Sequence, residues 1–184
     1  MNPRTPNFRG TLIRAALLTV IATSHAAEQI VNAPATDLTV GPGDTLWFDS
    51  TNTINVPIAL ASVNGTPPAT GLMPGWAHTQ WSFLKYDGAN VLEVPNAEKQ
   101  VGAVNLQFAT ATSVYYDNQV QTTFAANQSI GLVETTRDFI ISNGATLDVA
   151  LGGLIFHNNS HWMKVGEISG FLTSSSGQLA VIAN

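Results

Sequence analysis

The 184-residue chain contains no cysteine. That absence excludes a disulfide framework, a thiolate zinc site and a cysteine nucleophile. Charge is scarce as well. Asp, Glu, Lys and Arg make up 10% of the residues, against roughly 25% in an average soluble domain. Of the seven Lys and Arg, three (Arg4, Arg9 and Arg14) crowd the N-terminus, and the net charge is -5. Nucleic-acid affinity rests on clustered cations, so nucleic acid is excluded as a partner. Beyond the N-terminal segment no stretch is apolar enough for the ~20 residues that span a bilayer as a helix. There is no Gly-x-Ser-x-Gly turn, phosphate-binding loop or dinucleotide fingerprint.

In place of charge the chain carries Asn, Thr, Ser, Gln and Gly, a mixture that suits pleated structure and polar ladders. Residues 1–26 have the layout of a secretory signal peptide. The three arginines form its basic region, Ala15 to Ala22 its short apolar core, and Ser24-His25-Ala26 the small-residue site, with cleavage expected after Ala26. Residues 27–100 form an N-terminal β segment with a Pro- and Gly-rich loop over 64–75, where missing N–H donors interrupt a ladder. Residues 101–184 read as successive short strands: Val104-Asn105-Leu106-Gln107-Phe108, Ser113-Val114-Tyr115-Tyr116, 120–124 and 130–133. Then come Phe139-Ile140-Ile141, Leu147-Asp148-Val149, Leu154-Ile155-Phe156, Phe171-Leu172 and 179–182. Turns rich in Gly, Asn and Ser separate them, none shows 3.6-residue spacing, and all-β structure follows. Gly43-Asp44-Thr45-Leu46 and Gly144-Ala145-Thr146-Leu147 share a turn glycine followed by Thr-Leu, and Gly177-Gln178-Leu179 is a shorter version. That recurrence is what stacked turns leave in a sequence. Short strands without helical interludes fit either a sandwich or a parallel β-solenoid.

Three places invite a chemical reading. Trp76, Trp81, Phe83 and Tyr86 lie close together in sequence. Trp76, Trp81 and Tyr86 offer a platform for stacking sugar rings, against the alternative of an apolar plug packed on the strands. His157-Asn158-Asn159-Ser160-His161-Trp162 holds two histidines four apart, but in a turn and without a carboxylate, which leaves no metal site. Glu134, Asp117, Asp138 and Asp148 are the acids of the second half that could bear chemistry. Asp148 falls between two apolar residues and is expected to point outward, while Arg137 and Asp138 read as a solvated corner. No catalytic residue, cofactor or metal ligand is assigned. The Gly41-Pro42-Gly43-Asp44 turn has a cupin-like look but lacks the His-x-His ligands. Asn64, Asn127 and Asn158 open incidental glycosylation sequons.

The series 141–149, Gly152-Gly153-Leu154-Ile155-Phe156, 168–174 and 176–181 resembles the repeating rhythm of bacterial autotransporter-type passenger domains. The likeness covers about residues 100–184, and the signal peptide agrees with it. It implies a right-handed parallel β-helix exported to the cell surface, outer membrane or extracellular space, often followed by a C-terminal β-barrel translocator. No barrel strands are present here, so the chain reads as the N-terminal portion of a longer passenger. Membrane contact would come only through an unseen barrel. The expected role is a non-enzymatic stalk or adhesin whose partners are surface glycans or proteins. A carbohydrate-active β-helix enzyme or a secreted glycan-binding module is the alternative.

Overall fold

A computed structural model describes residues 27–49, 57–117, 122–136, 139–157, 164–165 and 170–183. Residues 1–26, expected to be a signal peptide, Arg137, Asp138 and the 158–162 part of the histidine cluster lie outside the described residues. The fold is all-β, with only two short 3-10 turns of helix among the described residues.

The N-terminal segment contributes β1 (Glu28–Val31), β2 (Thr45–Phe48), β3 (Ile58–Ala59), β4 (Gly71–Leu72), β5 (Ala77–His78), β6 (Leu84–Tyr86) and β7 (Asn90–Glu93). β1, β2 and β5 form a parallel sheet in the order β1-β2-β5. The other four form an antiparallel sheet in the order β3-β7-β6-β4. Proximity in sequence explains the contrast: β6 and β7 are joined by the tight Asp87–Asn90 turn, and tight turns join antiparallel neighbours. Asp87 Oδ1 accepts the Ala89 and Asn90 N–H groups there, and Gly88 takes φ 108°.

The second segment contributes β8 (Gln100–Val101), β9 (Val114–Asp117), β10 (Thr122–Phe124), β11 (Gln128–Thr135), β12 (Phe139–Ile141), β13 (Thr146–Phe156), β14 (Lys164–Val165), β15 (Phe171–Thr173) and β16 (Ala180–Ala183). Every described ladder among them is parallel. One sheet runs β8-β9-β11-β13, with β15 and β16 pairing the two ends of β13, and a second runs β10-β12-β14. Partners along a ladder stand about 20 residues apart in sequence. Antiparallel hairpins, which a sandwich of consecutive strands requires, are absent from these ladders.

The register explains the burial. Tyr115, Val133 and Leu154 are ladder neighbours on one face, and they join Phe124, Ile141, Leu147 and Val149 in the main core. Leu147, Leu154 and Phe156 are buried as the stacked reading requires, while Leu172 and Leu179 are half-buried against the same core. Gly144 and Gly177 take positive φ at turns ahead of β13 and β16, as Gly43 does ahead of β2.

Two expectations need correction. Residues 104–108 are not a strand but part of a 3-10 helix, Ala103–Phe108. Gly102, at φ 78°, turns the chain, and the Asn105 side chain donates to the Val101 carbonyl at 2.8 Å, an alternative to ladder pairing. The runs 147–149 and 154–156 are not separate strands either. They form one eleven-residue strand, β13, bent at Gly152 (φ 73°), where the pairing with β11 shifts register.

Beyond that bend, β11 and β13 are buried on both faces. The outer face, carrying Val114, Leu132 and Ile155, is roofed by Phe83 and Val94 from the N-terminal segment. Gly153 leaves room for the roof, since a Cβ there would stand 2.4 Å from the Phe83 ring. The boundary at residue 100 is therefore a change of topology inside one packed body.

Candidate functional site

Glu134 is the outward-facing residue that follows Leu132 on β11, with Tyr116 and Ile155 beside it in the ladders. Alternation directs it to the outer face, and the roof of residues 82–99 buries it completely. A buried carboxylate must be paired and hydrogen-bonded, and each oxygen is engaged. Oε1 accepts from Ser82 Oγ at 3.0 Å and from the Phe83 N–H at 3.1 Å. Oε2 accepts from Lys99 Nζ at 2.7 Å, and His157 Nε2 stands 3.5 Å away. Lys99 also donates to Ser82 Oγ at 2.9 Å and sits 5.3 Å from the Tyr116 ring centroid. Burial pushes the Glu134 carboxyl up. The nearby His157 imidazole, the Lys99 ammonium and the Phe83 N–H outweigh it and hold the group below the usual carboxylate range.

This cluster forms the floor of a cleft of about 430 Å³. Trp81 and His157 stand at its mouth with rings nearly parallel, 8° apart at 6.1 Å between centroids. Tyr116 also packs on the imidazole, at 5.5 Å between centroids and tilted by 58°. Trp81 keeps 44% of its surface exposed. Glu93, Val94, Pro95 and Asn96, from the end of β7 into the first 3-10 turn, also line the cleft. Glu93 is half-buried, and burial raises its carboxyl. Lys99 opposes that rise, and the negative charge of Glu134 adds to it.

The arrangement limits the chemistry. Ser82 Oγ accepts from the Lys99 ammonium and donates to Glu134 Oε1, and the Lys99 ammonium and Phe83 N–H that hold this carboxyl below its usual range make it a weak base for activating the hydroxyl. Among the described residues no group of three His, Cys, Asp or Glu could hold a metal ion. What the cleft presents is one exposed indole, one under-solvated carboxyl, one amide and a floor of internally neutralised charge.

Of the three aromatics expected to form a platform, the structure brings only Trp81 to the cleft. Trp76 packs half-buried against the N-terminal core, and Tyr86 is 5% exposed with its hydroxyl donated to the Leu60 carbonyl at 3.0 Å. Phe83 is a plug on the outer sheet face. Asp148 points outward between buried Leu147 and Val149, accepting from Ser129 Oγ and the Ser175 N–H, each at 2.7 Å. It lies away from the cleft, as does Asp117, which accepts from Thr122 Oγ1 at 2.6 Å. His157, expected in a solvated loop, is instead largely buried at the cleft mouth. The Asn64 side chain is tied to the Val40 backbone at 2.8 and 3.0 Å.

Sequence reasoning did not assemble Glu93, Asn96, Lys99 and Glu134. The one available signal is Glu134 itself, a charge that directly continues the apolar run 130–133. No described helix is long and apolar enough to cross a membrane. No family model, no curated protein and no solved structure matches the chain.

Proposed function

We propose that this chain is an exported, non-enzymatic bacterial surface protein, a right-handed parallel β-helix of the autotransporter passenger type that adheres to surface glycans. The observation that carries the reading is the parallel, in-register stacking of β9, β11, β13 and the pair β15 and β16. Such a stack is a quasi-one-dimensional body whose stability sums over neighbours, and it suits a stalk that projects a binding surface. The basic, apolar and small-residue layout of 1–26 supports export. Cell fractionation with N-terminal sequencing tests this. The expected product begins at Ala27 and is removed from intact cells by external protease. A full-length chain confined to the cytoplasm would contradict the reading.

A second reading, a carbohydrate-active enzyme, draws on one observation: Glu93 and Glu134 line the same cleft beside Trp81 and Tyr116. Their carboxyls are shifted in opposite directions, the pattern that separates an acid from a base. Against it, both oxygens of Glu134 are engaged by the protein itself. Release of reducing ends from oligosaccharides, lost in Glu93→Gln, would favour this second reading.

A further inference from the structure

We infer that the Trp81 cleft receives an uncharged saccharide ring, stacked on the indole and hydrogen-bonded to Glu93 and Asn96. This rests on the glycan-adhesion reading and specifies the ligand's chemistry. Three observations carry it.

The first is the indole. A pyranose has one face of C–H groups, which a flat aromatic ring covers well, while its rim of hydroxyls needs polar partners. Among the described residues lining the cleft, Trp81 is the one large aromatic that remains substantially exposed, and His157 stacks alongside it. The loop holding it is anchored, since Thr79 Oγ1 accepts the Trp81 N–H at 3.2 Å and the Ser82 N–H at 3.0 Å.

The second is the polar lining that Glu93 and Asn96 add to the cleft. Glu93 Oε1 accepts a long bond from Thr79 Oγ1, at 3.5 Å, and Ser82 and the Lys99 charge also favour its ionised form. A carboxylate can accept two vicinal hydroxyls, and the amide of exposed Asn96 both donates and accepts. The cleft volume falls in the lower half of the range for small-molecule sites, which fits a terminal ring or short oligosaccharide.

The third is charge. Among the described residues lining the cleft, Lys99 is the only Lys or Arg, and it is bound to Glu134. A uronate or a phosphorylated sugar would find no free ammonium and would meet Glu93. A cationic ligand would find Glu93, but the ring of Tyr116 is already covered by Lys99, which removes the second wall of an aromatic cage. An uncharged ring remains.

The test titrates the full chain with glucose, galactose, mannose and N-acetylglucosamine, then with glucuronate and choline. It follows indole fluorescence and saturation-transfer NMR of the ligand. The expected result is saturable binding of at least one neutral sugar, weakened at least about tenfold in Trp81→Ala and in Glu93→Gln. Both variants should keep the parent's unfolding midpoint within a narrow margin, because both side chains are partly exposed; an Asn96→Ala variant checks the same lining independently. Glucuronate or choline binding more tightly than every neutral sugar would overturn the inference. So would neutral-sugar binding that survives all three substitutions. If none of these sugars binds while the chain still adheres to glycan-coated surfaces, the inference fails and the adhesion reading stands. Loss of adhesion altogether would count against both.

Discussion

Gly75 and Gly153 meet backbone to backbone where the N-terminal segment docks on the outer face of β13. A Cβ on Gly75 would stand 2.2 Å from both Cα and N of Gly153, and one on Gly153 would stand 2.6 Å from Gly75 Cα. The Gly75 N–H donates to the Leu151 carbonyl at 2.7 Å, which fixes the approach. Neither glycine is needed for a left-handed turn at this contact; each is needed because no side chain fits.

Substitution at this contact should therefore separate the roof from the sheet. Gly153→Ala is expected to cost about 1–3 kcal/mol, the usual range for overpacking, and Gly75→Ala at least as much because it meets only backbone. Urea unfolding measures both. Wild-type stability in either variant would contradict the docking geometry.

The Lys99–Glu134 pair should behave as a buried ion pair with one indispensable side. Both side chains are nearly inaccessible, at 4% and 1%. Lys99→Met leaves an uncompensated carboxylate and is expected to cost about 3–5 kcal/mol. The double variant Lys99→Met/Glu134→Gln should recover part of that loss, because the charge is gone. A double-mutant cycle reads the coupling, and a coupling near zero would contradict the arrangement.

Acidification should destabilise the fold in two stages. Burial holds the His78 imidazole below its ordinary value of 6.5, opposed by the Thr79 carbonyl and Glu28. The unfolded chain then takes up a proton before the folded one does, so stability is lost as pH falls below 6.5. Glu134 is also depressed, from 4.5, and its contribution is lost as pH falls through its folded value. Glu93 runs the other way: its raised carboxyl makes protonation stabilising, and that contribution fades as pH rises through its folded value. Unfolding midpoints between about pH 8 and about pH 5 should fall on the acid side, and His78→Phe should flatten the first stage.

Leu147 and Asp148 are adjacent yet opposite in environment. Leu147 is fully buried, so Leu147→Ala should cost about 2–5 kcal/mol, and Leu147→Asp more, since its charge would have no partner. Asp148→Asn keeps an acceptor for Ser129 and Ser175 and should cost about 1 kcal/mol or less. Equal effects at the two positions would mean that the strand faces are reversed.

That pair also shows what the sequence could reveal. Apolar residues on both sides of Asp148 identify a strand with one wet face, and the glycines at 43, 144 and 177 mark turns that need positive φ. Alternation stops being informative beyond Gly152, where the Phe83 roof makes both faces dry; nothing local to 154–156 or 130–134 announces a roof assembled from residues around 83 and 94. The cleft was hidden for the same reason. Lys99 and Glu134 are 35 residues apart and meet only through the register of β8, β9 and β11 with the roof in place. Residues 104–108 illustrate a different failure: an apolar-polar alternation that Gly102 and Asn105 convert into a 3-10 turn.

Parallel, in-register stacking underlies the whole account, and disulfide trapping tests it most directly, since the chain has no native cysteine to interfere. Thr146 and Phe171 are ladder partners on the outer face, as are Ser129 and Asp148. Adjacent strands place such Cα atoms within disulfide reach. Thr146→Cys/Phe171→Cys and Ser129→Cys/Asp148→Cys should each oxidise rapidly within one chain. The register-shifted pair Thr146→Cys/Leu172→Cys should not, because its side chains leave opposite faces. Equal oxidation of matched and shifted pairs, or selective oxidation of the shifted pair, would contradict the stacked register.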